Sequence, residues 1–160
     1  MLSDKGTRTG LFFGATSGVI TTLGLMVGLQ SGTRSLAAVF SGVLVIAISD
    51  SMSDALGIHL AQESDPNSTR GQIWAATIWT FVSKFVVAIS FLLPLMWLPL
   101  DQAVMVSVAW GLIIVTAMSY LTARLQNAPV WRAVGEHVAI SLLVIALSHY
   151  VGVWVHAAFA

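Results

Sequence analysis

The chain of 160 residues has no cysteine, and only 9% of its residues are Asp, Glu, Lys or Arg. Without cysteine there is no disulfide framework, no thiolate zinc site and no cysteine nucleophile. A soluble domain of this length carries about 25% charged residues, so the shortage of charge argues against a water-facing surface. Seven basic residues balance seven acidic ones, which excludes both a basic nucleic-acid face and an acidic solvating tail. Enzyme signatures are missing too: the chain contains no HExxH, GxSxG, P-loop or HxxxH pattern. Asp50 and Asp54 share one segment, whereas a membrane aspartyl dyad draws its acids from two. The chain therefore reads as a non-enzyme.

What is present is hydrocarbon. Hydrophobic residues make up 57% of the chain and fall in blocks free of charge. A membrane helix needs roughly 20 mostly apolar residues. Stretches without Asp, Glu, Lys or Arg, joined across Asp50, Asp54 and Lys84, predict helices near 10–31, 35–62, 72–98, 102–124 and 131–156. The expected fold is all-α: one polytopic transmembrane domain over 1–160 with short connections, of which only Glu63–Gln72 looks like a solvated loop. The first span is too long and glycine-rich for a cleaved signal peptide, and no small-x-small site follows it.

Lys5, Arg8, Arg70, Arg124 and Arg132 gather at one end of these spans and Arg34 alone at the other. The positive-inside rule then places the N-terminus in the cytoplasm and the C-terminus outside, as expected for a bacterial inner (plasma) membrane protein. Trp74, Trp97, Trp131 and Trp154 lie near span ends, where indoles prefer the headgroup region.

Gly10, Gly14, Ser17, Thr21, Gly24, Gly28 and Gly32 follow one another at three- and four-residue steps, so they share one helix face. Glycine inside a helix costs about 1 kcal/mol relative to alanine. In lipid, small faces let backbones approach closely. The stripe predicts tight helix packing, either within the chain or across a homodimer.

Ionisable groups inside a span are functional candidates by default. The second span carries Asp50, Asp54, His59 and, at its mouth, Glu63; the third carries Lys84; the fifth carries Glu136, His137, His149 and His156. At about 1.5 Å per residue, Asp50 and Lys84 reach similar depths, roughly 18 and 16 Å from the cytoplasmic end. Opposite charges at one level predict a pair, with Lys84 as charge compensation. Asp54, roughly 12 Å in, has no cation at its own level and is the favoured ligand. Asp50 and Asp54 on one stripe suit a hard divalent cation or proton exchange. Met52, His59 and Glu63, on nearly the opposite stripe, form a mixed set tolerable to iron, manganese or cobalt. Glu136, His59 and Glu63 are placed at the cytoplasmic mouth. His149 and His156 read as surface residues near the outer side.

The run Phe13-Gly-Ala-Thr-Ser-Gly-Val-Ile-Thr-Thr-Leu-Gly-Leu-Met-Val-Gly28 resembles the first helix of the vacuolar iron transporter family. Ser53-Asp-Ala-Leu-Gly-Ile-His59 resembles that family's Ser-Met-x-x-Gly-Glu-Tyr segment, and Phe91-Leu-Leu-Pro-Leu-Met96 its third-helix prolines. Tyr120 to Arg124, Pro129 to Ala133 and His149 to Gly152 are similar to its last hairpin. The resemblance covers most of the chain in order. It implies a homodimer with a metal path between subunits, lined by the first two helices. It also implies export of Fe2+ or Mn2+ from the cytoplasm against protons, the metal being substrate with no permanently bound cofactor. Four departures stand out. The family's first-helix acid is here Ser17, its path methionine falls at Asp54, and its glutamate after the glycine falls at Ile58. The short loop Glu63–Gln72 stands where relatives carry a glutamate-rich insert. The expectation is a short, dimeric divalent-metal transporter embedded in the lipid bilayer. The alternative is a non-transporting assembly or regulatory protein on the same scaffold.

Overall fold

A computed structural model describes residues 4–159. The described elements are all helical: α1 (Lys5–Thr33), α2 (Leu36–Glu63), α3 (Arg70–Ser90), α4 (Leu92–Trp97), α5 (Leu100–Leu125) and α6 (Val130–Phe159). Among the described residues five spans are long and apolar enough to cross a membrane, α3 and α4 together making the third. In hydrocarbon every backbone N–H and C=O must be satisfied within the segment, and continuous helix does this.

Helix ends follow local chemistry. Asp4 caps α1 by accepting from the Thr7 amide at 2.8 Å. Thr69 and Gln72 close a capping box on α3. Arg34 and Asn127 take left-handed conformations, φ 51° and 52°, to stop α1 and to turn the chain after α5. Leu98, held extended at ψ 153° by the following proline, separates α4 from α5.

The third span is not the single rod expected over 72–98. It breaks at Phe91, whose N–H bonds back to Ala88 and Ile89. Pro94 has no N–H to offer the Ser90 carbonyl four residues earlier, and its ring crowds that carbonyl. The break leaves Phe91, Leu92 and Leu95 in the core beside Val104 of α5 and Val39 and Val43 of α2.

The first helix is the hub, packing on α3, α6, α2 and α5. Val19, Leu23, Met26 and Val27 are its core residues. Its glycines serve two neighbours in turn. A Cβ on Gly10 would collide with the Ala76 carbonyl oxygen, and one on Gly14 with Thr80 and Ser83, all on α3. Farther along, a Cβ on Gly24 would come 3.1 Å from Val144, and one on Gly32 3.4 Å from the Gly152 carbonyl, both on α6. Gly28 also faces α6, at Ser148. Thr21 returns its hydroxyl to the Ser17 carbonyl. The glycine stripe therefore packs inside the chain, backbone against backbone toward α3 and more loosely toward α6, where Gly24, Gly28 and Gly32 also line a cavity.

Candidate functional site

Ser17 of α1, Asp50 and Asp54 of α2 and Lys84 of α3 meet at one level of the bundle. The close α1–α3 approach over Gly14 and Gly18 brings Lys84 beside Ser17, and a Cβ at Gly18 would lie 3.2 Å from the Lys84 side chain. Lys84 Nζ stands 2.6 Å from Asp50 Oδ2 and donates to Asp54 Oδ2 and, at 3.0 Å, to Ser17 Oγ. Ser17 Oγ in turn donates to Asp54 Oδ2 at 2.6 Å. The Asp50 contact is an ion pair by distance, its angle falling outside hydrogen-bond geometry.

The expected Asp50–Lys84 pair is present, but Asp54 is not without a cation: Lys84 serves both acids. Asp50 and Asp54 lie one turn apart, roughly 6 Å along α2, and the long Lys84 side chain places its ammonium against both. Two carboxylates and one ammonium leave one negative charge in the cluster. Exposure is unequal: the Lys84 side chain is 2% accessible, those of Asp50 and Asp54 27% and 23%. The cation is sealed within the protomer and the acids open outward. Ser49, Ser53 and Gly57, also on α2, are exposed, and nothing lies within 4 Å of a Cβ at Gly57.

Of the mixed set, Met52 and His59 line one cavity between α2 and α3, while Glu63 does not line it. Among the described residues no group of three or more His, Asp or Glu side chains is placed to hold a metal ion. Met52 is 60% exposed on the outer face of α2. His59 Nδ1 lies 2.8 Å from Thr77 Oγ1, and its ring meets Trp74 edge-on at 4.9 Å. The Thr77 hydroxyl already donates to the Ile73 carbonyl, so it accepts from the His59 Nδ1–H. Glu63 is exposed. Glu136 pairs with Arg132 one turn away at 2.9 Å, both well exposed, and takes no part in the acid cluster.

His149 is exposed, as expected, and His156 half-buried, and each also makes a contact across helices. His149 Nδ1 contacts Ser31 Oγ at 2.7 Å, and His156 Nδ1 donates to the Gly32 carbonyl at 3.0 Å. Both fasten α6 to the end of α1. His137 meets Ser119 at 2.8 Å and joins α6 to α5. These serine and threonine partners carry no sequence signal of their own, because which turn of one helix faces which turn of another is set by packing register.

Outside the spans, Asp65 has its carboxyl held below the usual carboxylate range. Its strongest support is the Asn67 backbone N–H at 3.0 Å.

Comparison with known sequences gives one result. The family model described as the VIT family matches residues 54–153, a stretch that runs from Asp54 through Lys84 to the α6 histidine His149. No curated protein matches the chain.

Proposed function

This chain belongs to the VIT family, whose members are membrane metal-ion transporters, and on that premise we propose that it carries a divalent cation of the Fe2+ or Mn2+ kind as a homodimer. Transport runs outward from the cytoplasm and is coupled to protons, across a bacterial plasma membrane with the N-terminus inside. One observation carries this reading: two mid-span carboxylates open toward the outside of the protomer while their lysine is sealed within it.

Charge turned toward hydrocarbon is expensive, so something must cover Asp50 and Asp54. A second copy suits the surroundings, since Ser49, Ser53 and Gly57 give α2 a small exposed face that permits close helix approach. Each protomer contributes one net negative charge, and a pair contributes two, which matches a divalent cation. Asp54 is the central ligand, with Asp50 beside it and Lys84 holding both acids in the resting state. Glu63 and His59 lie toward the basic end of α2 and form the mouth, with Glu136 among the surface acids near it. Met52 shares the α2–α3 cavity with His59 and belongs to the same approach.

The test is Mn2+ and Fe2+ flux into liposomes carrying the purified protein, with and without a pH gradient. Wild-type protein is expected to move the metal, and Asp54→Asn to abolish movement while remaining folded. Equal flux through the variant would remove Asp54 from the path.

The ammonium already seated between the acids favours one other reading, a scaffold that keeps the fold without transporting. It predicts no flux for any divalent metal from wild-type protein and stable co-purification with another membrane protein.

A further inference from the structure

We infer that the basic end of the bundle holds a site for one anionic phospholipid between the first turns of α1 and the last turn of α5. A cavity of about 430 Å³ elsewhere, between α1 and α6, is walled mostly by glycine and aliphatic side chains, with Thr33 and Ser148 its hydroxyls and no charged residue in its lining. The α1–α5 cavity is smaller, about 230 Å³, and differently built. Lys5, Arg8 and Thr9 stand at its α1 wall with Phe12, and Thr122 and Leu125 at its α5 wall with Gln126 just beyond.

The charge in this cavity is unanswered. Arg8 is half-buried, yet among the described residues no carboxylate lies within 4.0 Å of its guanidinium. Lys5 reaches only Asp65, outside the cavity, at 3.9 Å and with 62% of its side chain exposed. The neighbouring acid, Asp4, caps the Thr7 amide. Two cations therefore face a cavity whose lining contains no acid. Half-burial without a counter-ion is costly for Arg8, and a phosphate diester relieves it through paired N–H donors.

The arrangement along the helix matches a phospholipid from head to tail. Lys5 and Arg8 lie at the end of α1, where headgroups sit. Phe12 is one turn deeper. Thr122 offers a hydroxyl and Gln126 an amide from the α5 side. Basic cavities between helices on the cytoplasmic side recruit acidic headgroups by this chemistry. A free phosphate would satisfy the cations but leave Phe12 and Leu125 without a partner, so the assignment is to the lipid.

The experiment is native mass spectrometry of the purified full chain titrated with phosphatidylglycerol, phosphatidylcholine or inorganic phosphate. One phosphatidylglycerol should be retained in clear preference to phosphatidylcholine. Lys5→Gln and Arg8→Gln should each weaken retention roughly fivefold, the equivalent of about 1 kcal/mol per cation near the membrane surface. Arg8→Lys should keep most of it, and Arg34→Gln, at the other end of the bundle, all of it. Three results overturn the assignment: equal retention of the two lipids, an Arg34→Gln effect as large as that of Arg8→Gln, or displacement of the lipid by phosphate at equal concentration.

Discussion

Ser17 and Asp54, on different helices, are joined by a hydrogen bond of 2.6 Å from the serine hydroxyl to the carboxylate. Ser17 also accepts from Lys84, so it locks the orientation of both charged partners. A hydrogen bond to a charged group contributes roughly 1.5–3 kcal/mol. Ser17→Ala is expected to lower unfolding stability in detergent by about that amount. Ser17→Asp should add a third carboxylate beside Asp54 and tighten Mn2+ binding, read by electron paramagnetic resonance. Weaker Mn2+ binding by the aspartate variant would contradict the cation-site reading.

Removing Lys84 separates a structural pair from a working one. Lys84→Met leaves Asp50 and Asp54 without their cation at mid-span, and stranding one side of a buried ion pair costs about 3–5 kcal/mol. The double variant Lys84→Met with Asp50→Asn restores a smaller imbalance and should recover much of the lost thermal stability. If the double variant is no more stable than the single one, the two acids are not held by Lys84 as described.

Glycine substitutions should split by sign. Inside a helix, Gly→Ala ordinarily stabilises by about 1 kcal/mol. Gly14→Ala should instead destabilise, because its Cβ would meet Thr80 and Ser83 of α3. Gly57→Ala has open space and should be neutral or stabilising for the protomer. Gly57→Leu should spare protomer folding but lower the dimer fraction measured by light scattering. An unchanged dimer would remove this face of α2 from the interface.

The loop between α2 and α3 should loosen in acid. Asp65 has its carboxyl lowered by the Asn67 backbone amide, so its contribution to loop order is present above the ordinary carboxylate value of about 4. That contribution disappears as pH falls through the lowered value. Amide hydrogen exchange across residues 64–69 should quicken at that lower pH, and Asp65→Asn should show no such step.

The spans were legible because hydrocarbon leaves little choice: long uncharged blocks became helices, with ends displaced by a few residues where Asp4 and Thr69 supply caps. The Asp50–Lys84 pair was legible for the same reason, since opposite charges at equal depth have few alternatives. The share of Lys84 taken by Asp54 was not, because it depends on where the long lysine side chain ends between two acids one turn apart. The break at Phe91 was marked by Pro94 but not its position. The histidine contacts to Ser31, Thr77 and Ser119 depend on helix rotation, which one sequence does not encode locally. The stripe on α1 announced close packing, while its division between α3 and α6 came only from the assembled fold.

The most direct check is a crystal structure of the protein soaked with Mn2+, read by anomalous scattering. The account predicts a peak against the Asp54 carboxylate, on the side of α2 that opens away from Lys84 and toward a second protomer. A peak found only away from Asp50 and Asp54, in protein that transports Mn2+, would contradict it.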